Sequence, residues 1–172
     1  MIRNISRLAV LVCAWAIVGL GFWSAGKELA DRVVNTLFFA GYLLLVPLGL
    51  LSGAAALLHG GTPWNRRLFQ SLVCKILLVQ FFRFNLTMGA AGAFVGLFFG
   101  PGLLVVLYTA LAAWTVVFAI SGDVIRALGE MRREGVITRG QQIFHSVCQL
   151  IFVADVIDAA VLCLSYSRTR KK

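Results

Sequence analysis

The sequence predicts an all-α fold, a polytopic transmembrane helical bundle of about five spans, and three observations carry that expectation. No Lys, Arg, Asp, Glu or His lies between Phe84 and Gly122, a run interrupted once, at Gly100-Pro101-Gly102. Leu8 to Gly26 and Val33 to Leu58 are equally free of charge, and about 18 apolar residues suffice to cross a hydrocarbon core. Finally, 60% of the 172 residues are hydrophobic and 13% charged, too few charges to solvate a globular surface. The length suits a single integral-membrane helical domain over residues 1–172.

The first span is expected near 8–26. Its basic lead, Met1 to Arg7, and the small residues Ser24-Ala25-Gly26 resemble a signal sequence. The apolar run is long for one, however, and further membrane segments follow, so a retained span is favoured over cleavage. Lys27 to Arg32 is a short charged connector. A second span near 33–59 contains Pro47, which removes one backbone hydrogen bond. Gly60-Gly61 ends it, and Thr62-Pro63 supplies a cap and a first helical position for the next helix.

The segment 64–99 reads as irregular. Arg66, Arg67, Gln70, Lys75, Gln80 and Arg83 scatter around a helix turned at about 100° per residue. That leaves two readings, one long tilted helix or a partial helix followed by a short span. Gly100-Pro101-Gly102 reverses the chain. The next span, near 103–121, runs on as a polar helix towards Gly135, a good C-terminal stop. Thr138-Arg139-Gly140-Gln141 fits a capping box, so the last span is expected at 139–166, followed by the basic tail Arg168 to Lys172.

The net charge is +9. The cations gather at the ends of apolar runs, as anionic headgroups and the positive-inside bias select. The lipid bilayer is therefore the expected partner and nucleic acid is not. With five spans and the N-terminus inside, the basic tail falls outside. With six, the Arg126–Arg139 segment does. One cationic cluster is misplaced under either count.

Two constellations stand out. Gly92, Gly96 and Gly100, four apart, share a helix face on which another backbone can approach closely, and Gly49 and Gly53 repeat the pattern in the second span. They are expected to pack helices, within one chain or between copies. The second constellation is a set of ionisable residues in apolar surroundings: Lys75, Asp155 and Asp158. Three unpaired charges at mid-membrane would cost on the order of 8–10 kcal/mol, so they must be paired, hydrated or near the interface. Asp155 and Asp158 share a helix face, His145 and Gln149 lie on the neighbouring arc, and Lys75 and Arg83 are the plausible counter-ions. No nucleophile or oxyanion hole accompanies the carboxylates, so no catalytic residue is assigned. Cys13, Cys74, Cys148 and Cys163 form no C-x-x-C pair and, with the histidines, no metal-ligand spacing. No metal or cofactor is expected.

Lys75-x-x-x-x-Gln80-Phe81-Phe82-x-x-Asn85, Glu134-Gly135-Val136-Ile137 and His145-x-x-x-Gln149-x-Ile151-Phe152-Val153-x-Asp155-Val156-Ile157 together resemble an uncharacterised family of small multi-pass membrane proteins from Gram-positive bacteria. That family more often has Pro where this chain has Gln80. The resemblance covers roughly the second half of the chain and implies a bacterial plasma membrane, a helical bundle and no established activity. It adds weight to Lys75, Asn85, His145, Gln149 and Asp155 as positions with a shared role. The leading functional expectation is a non-enzymatic membrane-complex subunit or accessory protein, packing against a second copy or another membrane protein. The rival is a small transporter or channel for an ion or small polar solute, using the intramembrane Lys and Asp residues.

Overall fold

The computed structural model describes residues 2–25, 32–58, 63–99, 102–151 and 154–166, and among them there are six helices and no strand. They are α1 (Ile2–Ala25), α2 (Arg32–Leu58), α3 (Trp64–Phe99), α4 (Gly102–Arg133), α5 (Arg139–Cys148) and α6 (Ala154–Tyr166). The first four are long and apolar enough to cross a membrane. Their apolar side chains face outward as well as inward. Val12, Leu43, Leu51, Phe94, Leu104 and Leu107 are all exposed, a pattern compatible with a lipid surrounding.

Two expectations need correction. The segment 64–99 is not irregular but one helix of 36 residues. Arg67, Ser71, Lys75 and Asn85 fall at helical spacing on the buried stripe of α3, while Arg66 and Arg83 point outward. Polar groups that find partners inside the bundle leave the backbone ladder intact, so they did not interrupt the helix.

The segment 139–166 is not one span. It is two short helices, and their side chains require a reversal of the chain between them. On a continuous helix His145 and Asp158, thirteen residues apart, would be separated by about 20 Å. Instead His145 Nδ1 lies 2.5 Å from Asp158 Oδ1. The end of α5 tightens to i→i+3 bonds, Leu150 N–H to Val147 O at 3.0 Å and Ile151 N–H to Cys148 O at 3.2 Å. The Ile151 carbonyl then accepts from Asp155 N–H at 2.8 Å.

Local sequence explains the other boundaries. Gly135 adopts φ +74°, and Val136 N–H bonds back to Met131 O at 2.8 Å, an αL stop for which glycine is suited. Three residues on, Thr138 caps α5. Its side chain accepts from Gln141 N–H, and the Gln141 side chain accepts from Thr138 N–H at 2.9 Å.

The glycines are used inside the chain. A Cβ at Gly49 would stand 2.9 Å from the Thr115 carbonyl, and one at Gly122 would stand 2.9 Å from that of Gly53, so α2 and α4 meet backbone to backbone. A Cβ at Gly96 would stand 2.9 Å from Leu103 N, and one at Gly92 would stand 3.1 Å from Val105. Gly100 and Pro101 lie outside the described residues. Around these contacts a largely apolar core forms from Ala14, Ile17, Leu45, Leu78, Phe81 and Val116, with Tyr42 among them.

Four tie points place the start of α1, the end of α2, the start of α3 and the end of α4 together. Arg7 pairs with Asp123, and Arg126 donates to the Leu57 carbonyl. Trp64 Nε1 donates to Glu134 Oε2 at 2.8 Å, and Arg67 lies 3.3 Å from Glu130. This is the charged end of the bundle. A second core fills it, built from Trp64, Leu68, Leu128, Met131 and, from α6, Leu162. Trp64 is 9% exposed, and its indole N–H is spent on Glu134.

Candidate polar site between α3 and the α5–α6 hairpin

Lys75 lies eleven residues into α3, on the stripe that faces the bundle, and is fully buried. A buried ammonium needs three acceptors for its three N–H groups, and it has three. They are Gln149 Oε1, at the end of α5, and Asp155 Oδ1 and the Asp155 backbone carbonyl, at 3.3 Å, at the start of α6. Asp155 Oδ1 also accepts from Ser121 Oγ of α4 at 2.9 Å. One cation thereby holds both arms of the hairpin.

Gln149 is the second junction. Its carbonyl oxygen accepts from Lys75, and its amide nitrogen donates to Asp158 Oδ2 at 2.6 Å. The other oxygen of Asp158 shares a hydrogen bond with His145 Nδ1. Six side chains thus form one chain of hydrogen bonds, His145–Asp158–Gln149–Lys75–Asp155–Ser121. It runs from the partly exposed His145 to Ser121, which is fully buried.

Of the seven candidate residues, five meet here: Lys75, His145, Gln149, Asp155 and Asp158. Two do not. Arg83 is exposed on α3 and stands outside the cluster. Asn85 lies ten residues beyond Lys75, about 15 Å along the helix, and serves a separate contact. Its Oδ1 accepts from Tyr42 OH at 3.0 Å, while its Nδ2 donates to Phe81 O at 3.0 Å.

Sequence reasoning missed Ser121, which carries no charge to mark it in an apolar run. It also missed the pair Arg7–Asp123, whose members lie 116 positions apart in sequence (123 − 7). Asp123 follows directly on the charge-free run, and that position was its one available signal.

The four cysteines are free thiols. Among the described residues no three His, Cys, Asp or Glu side chains stand together as a metal site would need. The cluster carries hydrogen-bonded charge and offers no free donor on Lys75.

A family model described as a family of unknown function (DUF6652) matches residues 71–168, more than half of the chain. The matched stretch holds all six members of the hydrogen-bonded chain. No curated protein and no solved structure matches the sequence.

Proposed function

The chain belongs to DUF6652, a family of unknown function, and from that premise we propose that it is a non-enzymatic integral-membrane protein, a subunit or accessory of a membrane assembly. Its place is the bacterial cell membrane. The reading rests on one observation, the closure of the Lys75 cluster. Every N–H of the ammonium is taken by a group of the chain itself, so the charges are used as an internal brace and not to hold a solute. Because Gly49, Gly53, Gly92 and Gly96 are covered by α4 or by the start of the α4 hairpin arm, a partner would meet the exposed apolar ridges of the bundle.

Purification of the tagged protein at native abundance in mild detergent tests this. A stoichiometric partner, or a second copy of the chain, is the expected result. A monomer that brings down nothing contradicts it.

One feature favours a second reading, a small transporter or channel for an ion or small polar solute. The hydrogen-bonded chain does not end in the core but runs out to the partly exposed His145 of α5. Proteoliposome flux that falls when Asp155→Asn and Asp158→Asn are combined would support transport. Flux unaffected by the pair would remove it.

A further inference from the structure

Neither α5, with 10 residues, nor α6, with 13, can cross a bilayer core, which takes about 20 residues at 1.5 Å each. Their contacts give their directions. The outer end of α5 meets the charged end of α4, where Arg132 donates to Gln142 Oε1 at 3.1 Å. The inner end, Gln149, reaches Lys75, about 16 Å along α3 from Trp64. From there α6 runs back. Asp155 is beside Lys75, whereas Leu162 and Cys163 pack with Trp64 and Leu68 at the start of α3. The two helices therefore enter and leave at the same end.

Their outward face is apolar. Phe144, Val147, Ile151, Ile157, Val161 and Leu164 are each between 46% and 75% exposed, while Gln142, His145 and Gln149 face the protein. This arrangement is the reverse of a helix bathed in water. The face also continues the exposed apolar flank of α3 at Phe69, Val73 and Ile76.

The charges agree. Arg66, Arg132, Arg133 and Arg139 are exposed around the open end of the hairpin, against the exposed Glu134, and the sequence after α6 adds Arg168, Arg170, Lys171 and Lys172. Between the end of α1 and the start of α2, both far from that end, the sequence carries Lys27 and Arg32 against Glu28 and Asp31, a balance of zero.

We infer that α5 and α6 form a re-entrant hairpin. It is immersed in one leaflet, with its apolar face against acyl chains and its arginines among anionic headgroups, and it returns the C-terminus to the side of the N-terminus. The chain then spans four times, and every cationic cluster lies on one face of the membrane, as the positive-inside bias favours. The misplaced cluster that five or six spans impose disappears.

Two measurements on the full chain test this. Epitope tags are placed at the N-terminus, at the C-terminus and in the 26–31 connector, and protease is added to spheroplasts and to inverted vesicles. Both terminal tags should be cut in the inverted vesicles alone, and the connector tag in spheroplasts alone. A C-terminal tag cut together with the connector tag overturns the inference.

Immersion is read separately. Phe144→Trp and Ile157→Trp, both at exposed positions, are reconstituted into phosphatidylcholine–phosphatidylglycerol vesicles whose acyl chains carry bromine. The added emission should be quenched at least half as strongly as that of Leu104→Trp on the lipid-facing side of α4. Emission that bromine spares and aqueous iodide quenches would place the hairpin in water and contradict the proposal.

Discussion

The two ends of this bundle are held together by different physics. Towards the α3–α4 turn, the contacts are glycine against backbone and apolar side chains against one another, with Gly92, Gly96 and Gly102 closing the hairpin and Phe81, Leu78 and Val116 filling the centre. Towards the start of α3, the interior contains Arg7, Arg67, Lys75, Asp123, Asp155 and Asp158. Helices apolar enough to cross a membrane gain no hydrophobic drive to associate once in lipid, and the first end is built on close packing, which dispersion rewards there. The second end relies on charges that have no better place to go. Close packing tolerates no added volume, whereas paired charges tolerate no removed partner. The two ends should therefore fail to different substitutions.

The largest effect should come from Lys75→Met. It leaves Asp155 buried without its counter-ion, with Ser121 alone donating to it, and Gln149 Oε1 without its donor; breaking a buried pair costs about 3–5 kcal/mol. Thermal unfolding in detergent, followed by loss of a monodisperse peak, should show a deep drop or no folded protein. A variant as stable as the parent would show that the cluster contributes nothing to the fold.

Gly49→Val and Gly96→Val should follow. Each puts a β-branched side chain where a Cβ alone would lie 2.9 Å from α4 backbone. Overpacking of this kind costs about 1–3 kcal/mol. Lys75→Met and Gly96→Val should also differ in kind, because α3 and α4 stay docked in the first and separate in the second. Cysteine pairs bridging α3 and α4 near Gly92 would report that difference.

These expectations also show how far the sequence could be read. The helices announced themselves through charge-free runs, and Thr138 and Gly135 marked the α4–α5 boundary correctly, since a cap and an αL glycine are local chemistry. The clustering of His145, Gln149, Asp155, Asp158 and Lys75 was legible because isolated charges in apolar surroundings must find one another. What was not legible was the reversal between α5 and α6. The residues of 139–166 are apolar enough for a span, and the contacts that break it come from α3, seventy or more positions away. The continuity of α3 was left open for the same reason. Arg67 and Lys75 look disruptive until Glu130 and Asp155 are placed beside them.

Smaller effects refine the contrast. Trp64→Phe keeps the packing of the charged end but removes the indole bond to Glu134, whose exposed carboxylate keeps the loss at about 0.5–1.5 kcal/mol. A loss in that range, measured by denaturant titration, is expected, and no loss would mean that the ring alone holds α3 there. Arg83→Gln sits at the lower limit. The side chain is exposed, and surface changes away from such networks stay within about 0.5 kcal/mol. A large loss would reveal a contact for Arg83 and reopen it as a counter-ion.

The most direct measurement is a double-mutant cycle across the brace, with Lys75→Met, Asp155→Leu and the two combined, each followed by unfolding in the same detergent. If the ammonium clamps the hairpin to α3, the double variant should recover most of what the worse single variant loses, because neither charge is then left unpaired. Losses that simply add would show that the two side chains do not act on each other, and would contradict the account.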